Sequence, residues 1–282
     1  MQECSIARPD PKSLLDFLFT GVRIPKKYGN KENERDSEHY KERVMAGKKE
    51  KVVGILGGMG PAATLDLISK ILKHTPATVE QDHLRILVDI NPKVPDRVAA
   101  ILEGKKEILP VLTGMAQALE RMGADLLAIS CNNAHYYWEA VRDSVKIPVL
   151  HMIRETASAL SQKIPSPPRV GLLTTSAMIR IGLYEHILKE AGTATVVPTQ
   201  LMQERLTEVI LGVKRNVNPQ ELKSLLDEPI AEMAARGIND IVIGCTEIPI
   251  VLPFSNSHGI TFWDATEILA MAILRDAFPP KD

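Results

Sequence analysis

The sequence predicts an α/β protein of two matching halves, each a parallel sheet flanked by helices. Three observations lead there. From Lys51 onward, short apolar runs alternate with segments of helical period, the pattern of parallel strands joined by crossover helices. The alternation then restarts: Gly54 and Gly171 hold matching places 117 residues apart, and Cys131 and Cys245 hold matching places 114 residues apart. An internal duplication is the economical account. Finally, each of these cysteines closes a matched stretch, 123–131 and 237–245, in which a glycine stands eight positions before the thiol.

The elements follow in order. Val52, Val53, Ile55 and Leu56 make an unbroken apolar run, hence a buried strand, and 61–72 has helical period. The run 84–90 is a second strand. A helix over 108–122 hands over at Gly123 to the strand that ends at Cys131. A helix over 138–145 and a short strand at 147–150 complete the first half. In the second half, 169–175 repeats the opening strand and turn, and 184–191 is the helix after it. A strand at 195–198, a helix over 219–236, the strand leading into Cys245 and a strand at 260–264 follow, with a last helix from 265.

Residues 1–50 differ. Leu14 to Phe19 suffice for a turn or two of helix, but 25–50 are dense in mixed charge with little to bury, which reads as a solvated extension. The expected division is therefore a charged extension (1–50), a first lobe (51–162 with the terminal helix 265–282) and a second lobe (163–264). The linker between the lobes falls at 162–168, where three prolines cluster.

Bulk properties exclude several classes. Lys plus Arg number 34 against 35 Asp plus Glu, for a formal charge of −1, so no basic face for nucleic acid is expected. No apolar run reaches the roughly 18 residues of a membrane span. The opening Met1-Gln2-Glu3-Cys4 has neither the basic stretch nor the apolar region of a secretory signal, and its acidic residues argue against a transit peptide. Three cysteines in 282 residues do not make a disulfide framework, so a reducing compartment, the cytoplasm, is expected. Cys4 lies in the extension and is incidental.

In open parallel sheets, ligands bind beyond the carboxyl ends of strands. If the two halves face one another, both sulfurs should border a shared cleft. Each also sits where a strand gives way to a helix start, whose unpaired N–H groups and dipole favour an anion. A thiol of pKa about 8.5 can be brought toward neutrality or below at such a place. One sulfur as thiolate can then take a proton from a tetrahedral carbon while the other, as thiol, delivers one to the opposite face. The configuration inverts, and no cofactor is required in principle.

The stretches 54–61 (Gly54, Gly57, Gly58, Met59, Gly60, Pro61), 91–97 (Asn91, Pro92, Pro95, Asp96, Arg97), 131–135 (Cys131, Asn132, Asn133, Ala134, His135), 212–214 (Gly212, Val213, Lys214) and 244–247 (Gly244, Cys245, Thr246, Glu247) occur in that order. In them the chain resembles the aspartate/glutamate racemase superfamily, and most nearly its cofactor-independent aspartate racemases, over about 51–275. The resemblance implies two pseudo-symmetric lobes with the active site in the cleft between them, a free acidic amino acid as substrate, no cofactor, no metal and a homodimer. It implies that Cys131 and Cys245 are the two acid/base residues. Arg97 and Lys214 would hold the substrate carboxylates, and Asn132, Asn133, Ala134, Thr246, Asp96 and Met59 would line the site. His135 and Glu247 would stand behind them. Two departures bear on substrate: Asn133 stands where threonine is usual, and Glu247 where cell-wall glutamate racemases have histidine. The second favours the aspartate or broad-specificity branch.

Elementary chemistry supports these roles. Removing an α-proton from an amino acid creates a carbanion beside a carboxylate, so cationic donors must offset the charge. Arg97 suits bidentate carboxylate binding and Lys214 a compact charge. Other readings of the same residues are weaker. The run 58–63 fits a loose G-x-G-x-x-A dinucleotide fingerprint, but the acid that would bind ribose, Asp89, comes some thirty residues after the glycines instead of about twenty; a backbone nest for a substrate carboxylate is the better reading. Cys131, His135 and Cys245 as zinc ligands lack a second local pair. His151 and Asp264, twenty and nineteen residues after the two cysteines, can orient the sulfurs or merely pack at strand ends. Thr174, Thr175 and Ser176 echo the glycine turn. The rival functions are a dicarboxylate isomerase or decarboxylase of the same fold and a two-lobed binding protein for an acidic metabolite.

Overall fold

The structure, a computed structural model, describes residues 50–163, 169–254 and 259–278. Apart from Glu50, the charged extension lies outside them, as do the three prolines of the expected linker.

Two parallel sheets are present, as the sequence predicts. The first contains β1 (Val53–Gly57), β2 (Ile86–Ile90) and β3 (Leu126–Ile129) in the order β2-β1-β3. The second contains β4 (Arg169–Leu173), β5 (Ala194–Val196), β6 (Asp240–Ile243) and β7 (Thr261–Asp264) in the order β5-β4-β6-β7. Matched strands thus take matched positions: β1 with β4, β2 with β5, β3 with β6. The strand expected at 147–150 is reduced to a single parallel bridge, Leu127 to Val149, beside β3 where β7 stands beside β6. Pro148 has no N–H to give to a ladder, and the Val149 carbonyl accepts from Trp138 Nε1 at 3.2 Å.

The helices of the first half are α1 (Pro61–His74), α2 (Arg97–Glu103), α3 (Ile108–Arg121), α4 (Trp138–Asp143) and α5 (Met152–Lys163). Pro61 occupies the first turn of α1, where a missing N–H is harmless, and Ala63, Leu67 and Ile71 bury one face. Asp96 caps α2 by accepting from the Ala99 N–H at 2.8 Å, and Gly104 at φ 66° ends it. Gln162 and Lys163, expected to begin the linker, are instead the last residues of α5.

The second half contributes α6 (Ser176–Ile181), α7 (Leu183–Glu190), α8 (Gln200–Lys214), α9 (Lys223–Ala235), α10 (Ile248–Val251) and α11 (Ala265–Ala277). Thr175 caps α6, and Gly182 at φ 64° separates α6 from α7. The residue pattern does not announce α2, α5, α6 and α8. The buried faces of α5 and α8 include Thr156, and Gln203 with Gly212, which break the apolar period that would mark them.

Helix packing interweaves the halves. Ile153, Ala157 and Leu160 of α5 pack with Val170 and Leu172 of β4 and with Met178 and Tyr184, so the first half lends a helix to the second sheet. In return α11, which follows the last strand of the second sheet, packs on α1 and α5 and touches β3. Lys70 Nζ on α1 meets Asp264 Oδ2 at 2.6 Å at the end of β7, fastening the same seam. No described helix is long and apolar enough to cross a membrane.

Candidate active site

The carboxyl ends of β1, β2, β3, β4 and β6 supply the candidate site. Beyond β1 the chain turns at Gly58, where φ is +86° and a β-carbon would come within 2.4 to 2.7 Å of the Asn91 backbone. Only glycine fits that close approach of the β1 and β2 loops. The Gly58 N–H is not free for a ligand, as the expected nest would require: it donates to Thr64 Oγ1 at 2.9 Å, and Thr64 lies 2.9 Å from Ser130 Oγ.

A cavity of about 320 Å³ opens beside this turn. Its lining comes from both halves: Gly60 to Ala63, Pro92 and Arg97 on one side, and Val213, Lys214, Asn216 and Glu247 on the other. Arg97, at the first position of α2, is 9% exposed, and its Nη1 donates to the carbonyls of Val94 and Pro95 at 3.0 Å each. Those bonds fix the guanidinium, while its buried Nε has no hydrogen-bond partner among the described residues. Lys214 ends α8, where the helix dipole favours a cation, and its Nζ lies 4.0 Å from Glu247 Oε1.

Cys131 and Cys245 each stand two residues beyond their strand and are 4% exposed. They do not themselves line the cavity, but the charges that line it act on them. Arg97, Glu247 and Lys214 all act on Cys131, and Glu247 and Lys214 act on Cys245. The two sulfurs therefore share neighbours. The Cys245 thiol donates to Glu247 Oε2 at 3.1 Å.

The helix-start N–H groups point as expected, with Ala134 N–H toward Cys131 and Glu247 N–H toward Cys245. Their effect is outweighed. Burial pushes both thiols up, and for Cys245 the adjacent Glu247 carboxylate pushes further, well above the ordinary thiol range. For Cys131 burial is opposed first by Arg97. Expecting thiols drawn toward neutrality by the helix ends is thus corrected: the low-dielectric surroundings dominate a dipole that, after Cys131, comes only from a short 3₁₀ segment (Asn133–Tyr137).

The asparagines after Cys131 are held by the other half. Asn132 Oδ1 accepts from the Tyr184 hydroxyl, and Asn133 Oδ1 accepts from Thr175 Oγ1 at 2.8 Å. Each amide is thereby oriented with its NH₂ outward from that bond, and Asn132 Nδ2 is buried without a hydrogen-bond partner among the described residues. Tyr184 carries no motif signal. Its ring comes close because Gly244, just before Cys245, lacks a side chain: a β-carbon there would sit 3.0 Å from Tyr184 Cε2. Thr246 is buried beside Glu247. Asp96 is exposed and engaged as the α2 cap, and Met59 packs in the first core with Val94. Neither lines the cavity.

His135 acts on backbone. Its Nδ1 lies 2.8 Å from the Cys131 carbonyl, and its Nε2 accepts from the Met152 N–H at 3.0 Å, which assigns the proton to Nδ1. Both nitrogens are occupied, so neither is available to a metal. His151 packs at a tilt against His135 and Trp138, with ring centroids 5.0 Å apart in each case. Asp264 is likewise engaged, by Lys70 and by the Thr266 N–H, so neither residue reaches a sulfur through a hydrogen bond. Burial lowers His135 to about 4. The unfolded imidazole takes up a proton near 6.5, so stability present above that pH is lost as pH falls toward 4. From His135 alone, acidification from pH 7 to 5 is expected to cost about 2 kcal/mol. Thermal melts at the two pH values check this, and His135→Gln should melt lower at pH 7 with a smaller pH dependence.

The comparisons with known proteins agree with this layout. A family model described as Asp/Glu/hydantoin racemase matches residues 56–273. The chain belongs to that family. It is an amino-acid racemase, as the motifs led us to expect. It is 28% identical over 226 residues to the broad specificity amino-acid racemase RacX of Bacillus subtilis, covering 78% of this chain and 95% of that one. Its fold is similar to that of the aspartate racemase of Picrophilus torridus, with a TM-score of 0.70 and 30% identity over 80% of this chain and 94% of the other. A glutamate racemase, RacE1 of Bacillus anthracis, shares the fold at 18% identity, with a TM-score of 0.60 over 81% of this chain and 82% of that one.

Proposed function

We propose that the protein racemises an acidic amino acid, aspartate first and glutamate with it, without pyridoxal phosphate and by two bases. Cys131 as thiolate removes the α-proton from one face, and Cys245 as thiol returns a proton to the other. The observation that carries the reading is the shared environment of the two sulfurs, beside a cavity lined by Arg97 and Lys214. The assignment of roles follows from the neighbours. Arg97 and the Ala134 N–H favour an anion at Cys131, whereas a carboxylate accepting from Cys245 favours the thiol there. Arg97 Nε and Asn132 Nδ2, two buried donors without partners among the described residues, suit the substrate's carboxylates.

Aspartate is favoured by the Picrophilus neighbour, and the likeness to RacX extends the reading to a broader set of amino acids. A cytoplasmic homodimer acting on the free amino acid belongs to the same proposal. The test is incubation of the full chain with L-aspartate, and separately L-glutamate, in heavy water without pyridoxal phosphate. The D-enantiomer is expected to appear carrying deuterium at Cα. Binding without inversion or exchange would overturn the proposal.

A further inference from the structure

Among the described residues, three charged side chains line the cavity, Arg97, Lys214 and Glu247, and the other lining residues are uncharged. Glu247 is 3% exposed, and its two oxygens differ. Oε2 accepts from the Cys245 thiol at 3.1 Å and from the Thr246 hydroxyl at 3.4 Å. Oε1 has no hydrogen-bond partner among the described residues. Lys214 Nζ, at 4.0 Å, lies beyond hydrogen-bond length. The place a β-carbon would take on Gly60 is 3.6 Å from this same oxygen, so the glycine of the cavity wall is what stands next to it, with no side chain between.

We infer that Glu247 Oε1 accepts the substrate's α-ammonium group, which makes Glu247 the residue that selects amino acids from other dicarboxylic acids. The inference rests on the acidic-amino-acid reading above. An acidic amino acid carries two carboxylates and one ammonium, and the cavity offers two cations and one anion. Each ligand charge thus finds an opposite charge, with none left over. A dicarboxylic acid without the ammonium would bring its carboxylates close to Glu247 and still leave Oε1 without a hydrogen-bond donor, which is unfavourable for buried like charges. Holding the Cys245 thiol needs only Oε2. The second oxygen, buried and turned to the cavity, has work only when a donor arrives in the ligand.

The test compares DL-aspartate with succinate, which keeps both carboxylates and lacks the ammonium, by calorimetric titration of the full chain. In the wild type, aspartate is expected to bind at least about 10-fold more tightly than succinate, the worth of a charge-assisted hydrogen bond. In Glu247→Gln, which preserves shape, aspartate should weaken roughly 10- to 100-fold while succinate stays within about twofold or binds more tightly. A merely structural role for Glu247 would weaken both ligands alike, and that result overturns the inference. Malate, with a hydroxyl in place of the ammonium, supplies a measurement that needs no variant. It should follow succinate, and malate binding as tightly as aspartate would also overturn the inference. If the wild type binds neither aspartate nor succinate, the acidic-amino-acid reading falls and this inference with it; if both bind and the variant leaves their ratio unchanged, only this inference falls.

Discussion

Cys131→Ser and Cys245→Ser are each expected to lower the racemisation rate by roughly 10³-fold or more, the scale of a positioned acid or base in a proton transfer. A serine hydroxyl is far less acidic than a thiol, so at position 131 it is not a competent base, and at 245 it is a poor acid against a carbanion. Each variant keeps the other sulfur. In Cys245→Ser, which keeps the base, the residual chemistry should therefore be exchange of the α-proton in heavy water, without inversion, on the enantiomer that faces Cys131; Cys131→Ser, left with a sulfur held as thiol, should exchange little. Optical rotation and mass measurement on the same samples separate the two outcomes. A serine variant that racemises as fast as the wild type would remove the thiol it replaces from the mechanism. Because burial raises both thiols, the wild-type kcat/KM should climb with pH from about 7 to 9 as the thiolate population at Cys131 grows.

Arg97→Ala is expected to lower kcat/KM for aspartate by roughly 10- to 100-fold, the equivalent of a charge-assisted bond worth 1.5 to 3 kcal/mol. The loss has two origins that can be told apart. One is the carboxylate contact. The other is the guanidinium's pull on Cys131, which lowers that thiol against the effect of burial. Removing Arg97 therefore also raises Cys131, and the rising limb of the pH profile should move to higher pH. Arg97→Lys should restore little, since an ammonium cannot both hold the Val94 and Pro95 carbonyls and present a second donor in the same plane. Unchanged kinetics with an unchanged pH limb would exclude Arg97 from the site.

Much of this arrangement was legible in the residues. The strands announce themselves as apolar runs, and repetition of a cysteine after matching runs locates the sulfurs in both halves. Arg97 and Lys214 emerged only from ordered motifs, because a single surface base has no signature of its own. What the sequence concealed is what depends on the third dimension. Tyr184 reads as one aromatic on a helix, yet it reaches Asn132 in the other half. The thiols' environment was misjudged because helix ends are visible in a sequence, whereas the completeness of burial is not. Thr64, which accepts from the glycine turn's amide, and Ser130, which bonds Thr64 from behind, are ordinary residues of a helix and a strand end until the turn closes on them.

The exchange of helices across the seam governs how the polypeptide tolerates division. Severed at the proline-rich segment, the leading fragment would keep α5 with no β4 to cover, and the trailing fragment would expose the apolar side of β4 and carry α11 without α1. Neither piece is a self-sufficient folding unit. Mixed together, however, they would hold complementary surfaces, so the expected behaviour of a split gene product is aggregation apart and reconstitution in company.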